Sequence, residues 1–86
     1  MTAPLDLRVT VLDTWDESTL QLPPTTLISE LKRTALARSR IRRSPTEYLV
    51  KYKGAELDEA GRTLADAGVA PNSSLIVMAR RRLPVR

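Results

Sequence analysis

Apolar and polar residues alternate along the first part of the chain: Leu5, Leu7, Val9 and Val11 take one parity, Asp6, Arg8 and Thr10 the other. A period of two puts successive side chains on opposite faces, so Leu5 to Leu12 predicts a half-buried strand. Asp13-Thr14-Trp15-Asp16 is a polar connection of turn-forming residues. Ser18 to Leu22 then alternates again, with Leu20 and Leu22 inward, which completes an N-terminal β-hairpin. Trp15 stands at the hairpin tip, where it is expected to pack on its own strands.

Pro23-Pro24 ends the second strand, because neither proline can donate to a ladder. Thr25 or Thr26 is the expected N-cap of a helix running to about Arg40. At helical spacing Leu27, Ile28, Leu31 and Ala35 form its buried stripe, leaving Lys32 and Arg33 on the outer face. Ser44-Pro45 closes the following loop, and Glu47 to Lys53 predicts a third strand. In it Tyr48, Val50 and Tyr52 share one face, while Leu49, Lys51 and Lys53 share the other. The last strand, Leu75 to Ala79, is apolar on both parities: Leu75, Val77 and Ala79 on one, Ile76 and Met78 on the other. One helix can cover only one side of a sheet, so one parity is expected to meet solvent or a partner.

Composition narrows the chemistry. Eighty-six residues allow one domain with a modest core. Cysteine and histidine are both absent. That excludes disulfides, a thiolate nucleophile, a thiolate-based zinc site and an imidazole base, so neither an enzyme nor a cofactor or metal is expected. No apolar run approaches the ~20 residues of a membrane span, and membrane insertion is not expected. The N-terminal residues lack the basic stretch and apolar core of a signal peptide, which points to a cytoplasmic protein.

The net charge of +4 is unevenly spread. Residues 1–30 carry five acids against one arginine, whereas residues 31–46 hold six cations and no acid. Arg38, Arg40, Arg42 and Arg43 form the candidate basic segment, first read as a solvated helix end whose cations suit the helix dipole. Eleven arginines against three lysines favour planar, bidentate contacts with carboxylates or phosphates.

The order strand, strand, helix, strand, short helix, strand, with G-A-E-L-D-E-A-G-R-T-L-A-D-A-G-V before the last strand, resembles the ubiquitin-like β-grasp family. Gly54, Leu57, Asp58, Gly61, Arg62, Thr63, Leu64, Asp66 and Val69 fit the family pattern, with one extra residue, Glu59 or Ala60, before Gly61. The resemblance implies an α+β fold: a mixed four- to five-stranded sheet packed on one α-helix, plus a short 3-10 helix or helical turn. Residues 1–82 are then one domain and 83–86 a flexible tail. Gly54 and Gly61 are expected at tight turns, Leu57 and Leu64 in the open end of the core, and Thr63 and Asp66 as local caps.

Ubiquitin binds partners through an apolar patch on its outer sheet face and is conjugated through a C-terminal Gly-Gly. The resemblance places Lys51 at the centre of that patch, Ile76 and Met78 beside it, Leu49 on the same face and Arg80 at its edge. Leu83-Pro84 stands where Gly-Gly would be. These departures, with the arginine-rich composition, look like bacterial ubiquitin-like proteins such as those of type VII secretion systems, which act by binding. The implied function is a protein-interaction domain with Leu49, Lys51, Ile76, Met78 and Arg80 as partner-binding residues. Two alternatives stay open: a covalent modifier or sulfur carrier needing C-terminal processing, and non-specific nucleic-acid binding through the arginine segments. Nucleic acid is the less expected partner, because base stacking needs exposed aromatics and Tyr48 and Tyr52 are read as inward.

Overall fold

The computed structural model describes residues 4–80, so the expected tail at 83–86 lies outside the described residues. The elements are β1 (Leu5–Val11), β2 (Asp16–Leu22), α1 (Ile28–Arg38), a 3-10 turn (Pro45–Glu47), β3 (Tyr48–Tyr52), β4 (Ala55–Glu56) and β5 (Ser73–Ala79). They form one mixed sheet of order β2-β1-β5-β3-β4, in which β1 and β5 are parallel and the other neighbours antiparallel. The architecture is α+β, as the family resemblance implies.

Alternation decides which side of the sheet meets the helix. Leu5, Leu7, Val9 and Val11 on β1, Tyr48, Val50 and Tyr52 on β3, and Leu75 and Val77 on β5 are all buried. Ile28, Leu31, Ala35 and Leu36 of α1 are buried with them in a single cluster, joined by Leu64 and Val69 from the loop before β5. Removing such apolar side chains from water supplies the main driving force for folding.

The helix departs from its sequence reading at both ends and on one face. Neither Thr25 nor Thr26 caps it; Leu27 holds the N-cap position with extended backbone and makes no side-chain cap bond. The 62–65 segment supplies the pairing instead. Ile28 N–H donates to the Arg62 carbonyl at 3.0 Å, Leu64 N–H to the Thr26 carbonyl at 2.9 Å and Ala65 N–H to the Pro24 carbonyl at 3.0 Å. Leu27 bridges Thr63, which draws it out of the buried stripe, and Leu36 takes its place. α1 stops at Arg38 rather than Arg40 because Arg40 turns left-handed, at φ 58°. Arg40 N–H then bonds the Ala37 carbonyl and Ile41 N–H the Leu36 carbonyl, a Schellman closure with Ile41 packed against the core.

The tight turn after β3 uses Lys53 and Gly54, both at positive φ (54° and 81°), which glycine adopts freely. Residues 64–68 form hydrogen-bonded turns rather than a helix, and the 3-10 turn falls at Pro45–Glu47. Thr63 and Asp66 cap one another as expected: Thr63 N–H donates to Asp66 Oδ2 at 3.0 Å, and Asp66 N–H to Thr63 Oγ1 at 3.1 Å. Trp15 does not pack on its own strands. It is 77% exposed and left-handed, at φ 57°.

Candidate partner-binding face

Pairing registers assemble the side of the sheet that turns away from α1. Ile76 on β5 lies opposite Lys51 on β3 and Thr10 on β1, while Met78 lies opposite Leu49. Lys51 in turn lies opposite Glu56 on β4, and Thr10 opposite Glu17 on β2. Leu49, Lys51, Ile76 and Met78 are therefore cross-strand neighbours on one face, where facing side chains stand ~5 Å apart at Cβ. Ile76 is 38% exposed, and Leu49, Lys51 and Met78 are half-buried. Farther along the same face, Asp6, Leu7, Arg8, Thr19 and Asn72 line an open cleft of about 370 Å³.

Arg80 is at the rim and already engaged. Its backbone N–H donates to the Glu47 carbonyl at 2.7 Å, its Nε to the Thr46 carbonyl at 3.1 Å and its Nη1 to Glu56 Oε2 at 3.2 Å. The guanidinium thus links the segment before β3 to β4. Both side chains of the Arg80–Glu56 pair are about half exposed, so the pair adds little stability and can yield to a partner's carboxylate.

The basic segment is not part of this face. Arg38 ends α1, Arg40 occupies the left-handed position after it, and Arg42 and Arg43 follow; all four are exposed. Tyr48 connects this region to the hairpin tip, its hydroxyl donating to Asp13 Oδ2 at 2.6 Å. Burial pushes that hydroxyl above the usual tyrosine range, the Asp13 carboxylate adds to the rise, and Arg43 draws it partly back.

Lys32 corrects the sequence reading most sharply. It is only 4% exposed instead of facing outward. Its Nζ lies 2.7 Å from Glu59 Oε1 and donates to the Tyr48 carbonyl at 3.0 Å. Spacing carried a signal for this, since Lys32 sits four residues from both Ile28 and Leu36 and so shares their face. Glu59, one of the two candidates for the extra residue before Gly61, provides the countercharge. Among the described residues no three potential metal-ligating side chains converge, and no helix is long and apolar enough to cross a membrane.

No protein-family model and no curated protein matches the sequence. Solved structures do. Ubiquitin of Caldiarchaeum subterraneum superposes with a TM-score of 0.76 at 18% identity, covering 92% of this chain and 96% of that one. A de novo design based on ubiquitin gives 0.78 at 20% identity, covering 98% of each chain. The fold is the ubiquitin-like β-grasp. Within this β-grasp, Gly54 sits at a positive-φ turn, Leu64 is fully buried and Leu57 packs on the core, which are the places the Gly54–Val69 motif implies. At such identities the likeness extends to the fold, and the face must be read from its own residues.

Proposed function

We propose that this β-grasp domain is a non-catalytic interaction module that binds a protein partner through Leu49, Lys51, Ile76 and Met78, with Arg80 at the rim. The observation that carries the reading is Ile76, a large apolar side chain 38% exposed in the central strand of a sheet face that the helix does not cover. Met78 and Leu49 extend the apolar surface from Ile76, and an unbranched methionine adapts to a partner's shape. Lys51 and Arg80 border it with cations, favouring a partner that presents apolar side chains beside a carboxylate. The finer reading is a bacterial, cytoplasmic protein comparable to the binding ubiquitin-like proteins of type VII secretion. Its support is the arginine-rich composition and the fold. It predicts a secretion ATPase gene nearby, whereas genes for an activating enzyme and a protease there would favour the modifier reading.

Replacing Ile76 and Met78 together with serine tests the surface. Tagged wild-type protein captures its partner from lysate of the source cells, and Ile76→Ser/Met78→Ser loses it while keeping the far-UV circular dichroism of the wild type. Equal capture by the two proteins overturns the proposal.

A further inference from the structure

The β1–β2 turn, the end of α1 and the segment leading into β3 meet at one end of the sheet. β1 and β5 run parallel and β3 runs against them, so Val11, Ala79 and Tyr48 all lie at this end. The Tyr48–Asp13 hydrogen bond ties the hairpin tip to the start of β3.

Two residues here are placed against the interests of stability. Trp15 and Arg40 are both left-handed, at φ 57° and 58°, where a side chain other than glycine, asparagine or aspartate is strained. Both are exposed, Trp15 at 77%. Glycine would satisfy either turn at no steric cost. Lys53 and Asn72 share this backbone conformation at the opposite end, in tight turns. At this end an exposed indole and an exposed guanidinium carry the strain, which points to use of the side chains themselves.

Around them cations outnumber acids on the helix side. Arg38, Arg40, Arg42 and Arg43 are exposed, and among the described residues none of them forms an ion pair. The acids at this end are Asp13, whose carboxylate accepts from the Tyr48 hydroxyl; Glu47 in the 3-10 turn; and Asp16 and Glu17 on β2. Glu17 pairs with Thr10 and so belongs to the outer sheet face, whereas Asp16 pairs with Val11 and shares the helix-side parity. The other exposed large apolar residues lie elsewhere, Leu27 before α1 and Ile76 on the outer face. Trp15 is thus a lone indole among charges. It lacks the apolar surround of a protein-binding hot spot and suits a stacking platform.

We propose that this end of the domain binds single-stranded nucleic acid, with the Arg38–Arg43 segment on the phosphates and Trp15 stacked on an unpaired base. Guanidinium forks match phosphate oxygens, and an indole face accepts any base, so the binding is sequence-tolerant. Tyr48 and Tyr52 are buried as the sequence implies, and the exposed aromatic that recognition requires is Trp15.

Trp15 is the only tryptophan, so its fluorescence reports contact directly. The experiment titrates the full chain with 12-nucleotide oligo(U) and oligo(dT) in 50 and 200 mM salt, reading tryptophan quenching and the anisotropy of labelled oligonucleotide. Four phosphate contacts give a log–log salt slope of about −2.8, a loss of roughly fiftyfold between the two salts. Trp15→Ala weakens binding about tenfold at 50 mM salt. Replacing Arg38, Arg42 and Arg43 with serine and Arg40 with glycine removes most of the affinity and the salt slope together. All these positions are exposed, and circular dichroism confirms that the variants fold. Ile76→Ser/Met78→Ser binds oligonucleotide like the wild type, which separates this surface from the protein-binding face. Absence of quenching at 50 mM salt overturns the proposal. So does equal binding of polyglutamate with no effect of Trp15→Ala, which would mark the end as a site for acidic protein.

Discussion

Removing the Glu59 carboxylate probes Lys32, the most buried charge among the described residues. Lys32 is 4% exposed, and its Nζ has two neighbours, Glu59 Oε1 at 2.7 Å and the Tyr48 carbonyl at 3.0 Å. Glu59→Ala leaves the ammonium in place with only a neutral acceptor. Stranding one partner of a buried pair costs ~3–5 kcal/mol. The glutamate side chain keeps 17% exposure, so water reaches part of it and the low end, ~3 kcal/mol, applies, although Oε2 itself is buried without a hydrogen-bond partner. In a domain of this size that lowers Tm by roughly 12–24 °C. Lys32→Met behaves differently. It removes the buried charge, lets Glu59 turn toward solvent and leaves one carbonyl without a donor, at a cost of ~1–2 kcal/mol. The double variant Lys32→Met/Glu59→Ala then lies close to Lys32→Met, so the cycle returns a coupling of about 3 kcal/mol. Urea unfolding followed by far-UV circular dichroism is the assay, because Trp15, 77% exposed when folded, reports unfolding poorly. A loss below ~1 kcal/mol for Glu59→Ala would mean that the pair acts like an exposed one, and the reasoning fails. It fails equally if Lys32→Met costs as much as Glu59→Ala.

Three further outcomes follow from local geometry. Arg40→Gly relieves the left-handed strain at φ 58° but gives up a cation at the helix C-terminus; the net effect is a gain of ~0.5–1 kcal/mol, visible as a raised Tm. Tyr48→Phe deletes the 2.6 Å hydrogen bond to Asp13 and lowers stability by about 1–2 kcal/mol in urea titration, while Asp13→Asn costs less because the amide still accepts. Asp66 is held below the usual carboxylate range by the Thr63 N–H, so its stabilisation is complete above the unfolded-state value near pH ~4 and disappears as pH falls through the lower folded value. Acid titration of Asp66→Asn should show a shallower loss of stability over that range, and an unchanged profile would refute the linkage.

What could be read from the sequence depended on whether the deciding contact was local. Period-two alternation was enough for β1, β2 and β3, an apolar run marked β5, and the family resemblance brought Leu49, Lys51, Ile76 and Met78 to one face. The Gly54–Val69 motif carried the fold because its glycines, Leu64 and the Thr63–Asp66 caps answer local backbone demands. Misreadings arose where a distant segment intervened. Thr25 and Thr26 are good caps in isolation, but the 62–65 strand-like segment satisfies the helix start and pulls Leu27 outward. Lys32 looked like a surface cation because Glu59 is remote in sequence, although its spacing from Ile28 and Leu36 was inward. Arg80's engagement with Glu56 rests on β4, whose two residues are too few to form a pattern. Trp15 was placed inside on the habit of its residue type, and only the turn geometry puts it out.

The sheet order has a bearing on how the protein comes into being in the cell. Among the described residues β5 is the strand that comes last in the chain, yet it lies between β1 and β3 and joins the two halves of the sheet. Until Ser73–Ala79 emerges from the ribosome, β1 carries an open edge and β3 is paired only with the two residues of β4. Leu75 and Val77, both fully buried at the end, are missing from the nascent core. The hairpin and helix therefore wait without a stable core, and the domain closes in one late step. A ribosome stalled before Ser73 holds two unpaired, valine- and leucine-bearing strand edges, the form in which a nascent chain most needs a chaperone.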